Sequence, residues 1–129
     1  MSKKFSRVWK SSKRKRKQVK YKLNAPFHLR IAFLSAHLEK SLRQKHKRRA
    51  LPLRVGDKVT VLRGDYKKKS GKITRVDRKN YKIFVEGIEL TKKDGSKVFP
   101  PLDPSNVMIT ELNLEDKKRL KTKEAVVKK

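Results

Sequence analysis

Along residues 55–62 the apolar Val59 and Val61 alternate with Lys58 and Thr60, so the two valines share one face of an extended segment and a half-buried strand is predicted. The pattern breaks at Arg63-Gly64-Asp65-Tyr66-Lys67-Lys68-Lys69-Ser70-Gly71, where two glycines surround a run of three lysines and a basic turn is expected. Lys72-Ile73-Thr74-Arg75-Val76 resumes a strand. Beyond the polar turn Asp77-Arg78-Lys79-Asn80, the residues Tyr81, Ile83 and Val85 alternate, which assigns Tyr81 to the core. After Gly87, Ile88 and Leu90 alternate, Asp94-Gly95 supplies a hairpin turn, Val98 and Phe99 return, and Val107 to Ile109 make a last strand. Five short strands in about 55 residues predict a small barrel or rolled sheet, because closure protects edges that so small a sheet would otherwise expose.

Upstream the apolar period changes to that of a helix. Asn24-Ala25-Pro26 has the form of a helix start, and Phe27, Ile31 and Leu34 follow at helical spacing, predicting about two amphipathic turns that end near Ser35. A second helix is expected over residues 38–47, with Leu38 and Leu42 inward and Lys40, Arg43 and Lys47 outward, and Pro52 stops any helix before the sheet begins. Residues 111–129 read as a charged, helical tail anchored by Leu112, Leu114 and Leu120, docked at its beginning and frayed at its end. The chain then divides into a basic extension (1–23), a helical segment (24–50), a small β domain (51–110) and the tail (111–129).

Composition narrows what such a chain does. It has 129 residues, of which 39 are Lys or Arg and 12 Asp or Glu, so a net charge of +27 needs a counter-charge, and a polyanion supplies it. Residues 1–54 hold 19 of the basic side chains and a single acid, Glu39, so the N-terminal half faces the polyanion. Residues 1–23 alone carry eleven basic residues and no acid, and self-repulsion should keep them unfolded in isolation. Phe5, Trp9 and Tyr21 lie in this stretch, able either to stack on a base or to plug a protein surface. There is no cysteine, which fits a reducing compartment. No apolar run approaches the roughly 20 residues of a membrane span and the start lacks a secretory apolar core, so a soluble intracellular protein is expected.

Catalytic chemistry finds little support. His28, His37 and His46 are nine residues apart, which scatters them instead of placing two on one helix face, and no metal site is expected. Asp57, Asp65 and Asp77 fall at turns, where a carboxylate hydrogen-bonds nearby backbone more often than it moves protons. Gly64 and Gly71 do not form a nucleotide-binding loop, since no Gly-Lys-Ser/Thr closes the segment. No enzyme activity, cofactor or small-molecule substrate is expected. RNA binding needs cations at phosphate spacing on a scaffold, with a few groups that read shape. The candidates are Lys13, Arg14, Lys15, Arg16 and Lys17 in the extension, then His28, Arg30, Arg43, Lys47, Arg48 and Arg49 in the helical segment. Arg63, Tyr66, Lys67, Lys68, Lys69 and Lys72 add a cluster around the first loop of the β domain. Arginine forks onto phosphate or stacks on a base, so the arginines carry more weight than the lysines. The charges of residues 117–123, where acids are mixed in nearby, read as solubilising.

Gly56-Asp57, Val59, Val61, Gly64, Lys67, Gly71, Val76 and Val85-Glu86-Gly87 fall at the spacing of the KOW motif (residues 55–87). With Asn24-Ala25-Pro26, His28-Leu29-Arg30 and Leu42-Arg43 before it and Pro104-Ser105-Asn106-Val107 after it, the chain resembles the archaeal and eukaryotic form of large-subunit ribosomal protein L twenty-four over roughly residues 22–116. Lys68 stands where that family usually has glycine, and His37 and Glu39 stand where it usually has Pro and Ser. The resemblance implies an SH3-like barrel. It also implies a structural protein of the cytoplasmic ribosome that binds large-subunit ribosomal RNA beside neighbouring ribosomal proteins, early in assembly and near the nascent-chain exit. Two other functions fit parts of the chain. A KOW-bearing transcription elongation factor would bind RNA polymerase but usually has a separate domain ahead of the barrel, and a chromatin-like DNA compactor would explain the charge but not the motif.

Overall fold

In the computed structural model, residues 5–9 and 11–121 are described; the expected frayed end of the C-terminal tail lies outside them. In chain order the elements are α1 (Lys15–Asn24), α2 (Phe27–Phe33), β1 (Ser35–Leu38), α3 (Lys40–His46), β2 (Ala50–Pro52), β3 (Lys58–Val61), β4 (Ser70–Asp77), β5 (Lys82–Val85), β6 (Leu90–Thr91) and β7 (Lys97–Val98). A 3-10 turn at Pro104–Asn106, then β8 (Val107–Glu111) and α4 (Lys118–Lys121) complete the series.

The alternating apolar positions decide the sheet. Val59 and Val61 of β3, Ile83 and Val85 of β5, and Val107 and Ile109 of β8 are buried on one face, and Ile73 of β4, Leu38 and Leu51 join them in a single core. Each such side chain contributes about 1.5–3 kcal/mol by leaving water. Six strands form one mixed sheet in the order β2-β1-β8-β3-β4-β5, with β1 parallel to β8 and every other pairing antiparallel. The fold is small, mainly β and SH3-like. β2 and β5 are the sheet's ends, and among the described residues backbone hydrogen bonding does not join them into a ring. β6 and β7 make a separate two-stranded hairpin around the turn at Gly95, with Leu90 opposite Val98 and both exposed.

Three expectations need correction. Leu38 does not begin a helix: residues 35–38 form β1, and the helix starts after Glu39, whose side chain makes no capping hydrogen bond. The Ser-Ala-His-Leu segment is short, and what makes it a strand is pairing with β2 and with β8, about 70 residues later in the chain, which local periodicity cannot report. Tyr81 is not core. Its φ of 57° takes it out of the strand pattern, and its hydroxyl donates to the Lys22 carbonyl while its ring meets Phe33 at 5.7 Å. Partial burial raises its pKa, an effect opposed by Arg30. Finally, α2 does not bury its apolar stripe, since Phe27 is 60% exposed and only Leu34, just past its end, is fully inside.

The basic extension, expected to be unfolded in isolation, carries the helix α1 over its second half. α1 buries no residue fully, yet it is held on the domain through Tyr21, whose ring lies 5.9 Å from Phe33, 4.7 Å from Phe5 and 6.4 Å from Trp9. The aromatics of the extension therefore pack on one another and on α2. The cations remain outside this contact, as the amphipathic logic requires.

Candidate nucleic-acid interface

The loop between β3 and β4 is built by hydrogen bonds that fold it onto itself. Lys67 N–H donates to the Gly64 carbonyl at 3.2 Å, Lys68 N–H to Val61 at 2.8 Å, Lys69 N–H to Tyr66 at 3.1 Å, and Val61 N–H to Lys69 at 2.9 Å. Tyr66 packs against the core from the outside, and Lys69 Nζ lies 5.3 Å above its ring. Arg63, Lys67 and Lys68 are left exposed on this turn, while Lys72 is exposed on β4, opposite Lys58. The turn that presents them is held by these backbone hydrogen bonds, which lessens the freedom its backbone would lose on meeting a ligand.

Lys68 shows how the loop closes without glycine at that position. Its φ is 70°, the left-handed conformation that an L-residue enters at a cost of about 1–2 kcal/mol. Lys68→Gly is expected to raise stability by about 0.5–1 kcal/mol, after allowing for the greater freedom of glycine in the unfolded chain. Urea denaturation checks this, and a midpoint that stays or falls would count against it.

Three of the four arginines of the helical segment are engaged within the protein. Arg30 donates Nε to the Ala25 carbonyl and Nη2 to Leu23, both at 3.0 Å, and lies 5.8 Å over the Tyr81 ring, so it ties α1, α2 and the β4–β5 turn together. Arg43 donates Nε to the Leu38 carbonyl at 2.6 Å, and Arg48 donates Nη2 to Leu120 at 3.0 Å. Each keeps donors for an outside partner. Lys47, in a left-handed conformation that ends α3, and Arg49 are exposed, as are His28 and all five cations at 13–17. The candidates thus fall into three exposed groups, on the extension, after α3 and on the β3–β4 loop, with His28 apart from them on α2, Tyr66 half-buried, and three arginines engaged internally.

The carboxylates behave as turn residues. Asp77 accepts from Asn80 Nδ2 and from the backbone N–H groups of Asn80 and Lys79, and these bonds hold its pKa below the ordinary carboxylate range. Asp57 is different in degree: it is fully buried, accepts backbone N–H from Arg54 and Asn113 at 2.9 Å, and holds Arg119. Among the described residues no group of three or more His, Asp or Glu could hold a metal, and no helix is long and apolar enough to cross a membrane.

Composition does not single out Arg119. Its neighbours at 117–123 are mostly lysines, so it reads as a solubilising charge, although it is the one arginine of that run. Arg75 and Arg78 are likewise absent from the sequence candidates, and they lie over Phe84 and Phe27 at 5.5 Å. A family model matches residues 11–125, and the chain belongs to the family that it describes, the ribosomal proteins called L26 in eukaryotes and L twenty-four in archaea.

Proposed function

We propose that this chain, a structural protein of the large ribosomal subunit in the cytoplasm, binds large-subunit ribosomal RNA through phosphate and shape contacts. We assign it to early assembly near the nascent-chain exit, among neighbouring ribosomal proteins. The observation that carries RNA binding is the β3–β4 loop, where Arg63, Lys67 and Lys68 are exposed on a hydrogen-bonded turn with Lys72 beside it. The exposed cations of the extension and of Lys47 and Arg49 extend the same surface chemistry along the chain. A KOW-bearing elongation factor on RNA polymerase is set aside because the family match takes in the segment ahead of the sheet as well as the motif.

Salt and substitution test this reading together. Binding of the full chain to large-subunit ribosomal RNA should weaken steeply with salt, each duplex phosphate contact contributing about 0.9 to the log–log slope. A slope below about 3 would rule out broad phosphate contact. Replacing Lys67, Lys68 and Lys69 together by alanine should weaken binding by roughly 1 kcal/mol or more and leave the thermal midpoint nearly unchanged. Wild-type affinity at moderate salt would make the loop solvated decoration.

A further inference from the structure

A cleft of about 750 Å³ is lined by α2, β2, the end of β4 and α4, within the roughly 300–1,000 Å³ typical of clefts that enclose a ligand-sized group. Part of its lining is aliphatic: Ile31, Leu34, Leu53 and Val76, with Val55 adding a side chain that is 54% exposed. The rest is cationic, from Arg48, Arg54, Arg78, Lys118 and Arg119.

These cations are not equivalent. Arg119 is buried against Asp57, Arg54 is paired with Asp116 at 2.6 Å, and Arg48 bonds the Leu120 carbonyl. Arg78 and Lys118 are exposed and make no direct ion pair among the described residues; Arg78 lies 5.5 Å over the Phe27 ring, and the charge of Lys118 acts on the nearby Asp116 carboxylate. In addition, Arg119 Nε is buried with no hydrogen-bond partner among the described residues. Exposed cations with donors left for an outside anion, beside an aliphatic wall, complement a group that is anionic at one end and flat and apolar at the other. A nucleotide is built in that way, with a charged phosphate and a base whose faces shed water readily.

We propose that this cleft receives one unstacked nucleotide of ribosomal RNA, its phosphate held by Arg78 and Lys118 and its base laid against the aliphatic wall. The inference rests on the RNA-binding reading and adds to it a site away from the β3–β4 loop. A polyanion fits better than an acidic peptide because positive charge continues past the lining residues: Lys47 and Arg49 flank Arg48, and Lys79 follows Arg78, all exposed. A single acidic anchor would need no such continuation, whereas successive phosphates do.

The test uses the full chain with the photo-crosslinker benzoylphenylalanine, introduced as Val55→benzoylphenylalanine in one protein and Lys67→benzoylphenylalanine in another, each assembled into large subunits. Both are expected to crosslink to ribosomal RNA, the first at a nucleotide in a loop or bulge. An RNA adduct from position 67 with none from position 55, or an adduct from 55 to protein, overturns the cleft site and leaves the RNA reading standing. No RNA adduct from either position overturns both. In solution, Arg78→Gln with Lys118→Gln should lower affinity for protein-free large-subunit RNA about tenfold, well beyond the effect of Lys92→Gln with Lys93→Gln, an equal charge loss on the exposed hairpin. Equal losses for the two pairs would mean that the cleft contributes charge alone, and would overturn the site.

Discussion

Asp57→Ala should destabilise the protein by about 3–5 kcal/mol in urea unfolding, because it strands a buried guanidinium without its counter-charge. The side chains of Arg119 and Asp57 are 3% and 0% exposed, and Arg119 Nη1 and Nη2 each donate to a different Asp57 oxygen at 2.6 Å. The same guanidinium donates to the carbonyls of Asn113 at 2.8 Å and Pro52 at 2.9 Å, so α4 is fastened to the turn ahead of β3 and to β2 at once. Asp57 in turn fixes the Arg54 and Asn113 backbone N–H groups, which alanine would also release. The doubly substituted protein, Asp57→Ala with Arg119→Met, should lose clearly less than the two single losses added together, since removing both charges removes the uncompensated one. A single-variant loss below about 1 kcal/mol would show that water reaches the site and that the pair is not what holds the C-terminal segment down.

Gly71→Val is the second large effect, expected at about 3 kcal/mol or more, at the upper end of overpacking. A Cβ at Gly71 would sit 2.1 Å from the Glu86 carbonyl oxygen and 2.9 Å from Val85 Cγ1. Neither neighbour can give way cheaply, because Glu86 N–H is bonded to the Lys72 carbonyl at 2.8 Å and Val85 is in the core. Gly64 offers the contrast. A Cβ there meets nothing within 4 Å, but its φ is +95°, so Gly64→Val should cost only the backbone strain of about 1–3 kcal/mol. Similar losses at the two positions would mean that β4 and the segment after β5 separate to admit the valine.

The two glycines show how far the sequence can be read. Local pattern expects both to let the loop leave and rejoin the strands, and for Gly64 that holds through its positive φ. Gly71 is instead required because another backbone crosses it, a long-range fact that no local pattern carries. The same division runs through the fold. β3 and β5 are legible because one face of each meets the core and the other does not, which writes alternation into the chain, whereas β4 buries only Ile73 and a register shift between Ile73 and Arg75 breaks its period. β1 is not legible, because four residues carry too few periods and its partners are remote. In the candidate interface the exposed lysines of the β3–β4 loop are visible in the run itself, whereas the internal engagement of Arg30, Arg43 and Arg48 depends on carbonyls that only the folded backbone brings to them. Arg119 is the least legible residue, since being the one arginine of its run does not tell that it is buried.

The place of β8 between β1 and β3 sets the order in which the molecule can be made. During synthesis β1 and β3 emerge well before residues 107–111, and until those residues arrive the two strands lack the neighbour that joins them. Contacts of such wide sequence separation close late and slowly. The cationic extension and α1 to α3, by contrast, are available as soon as they are synthesised. A nascent chain of this protein would therefore expose its positive charge before its sheet is complete, and β8 would seal a domain whose N-terminal part had long been open to an anion.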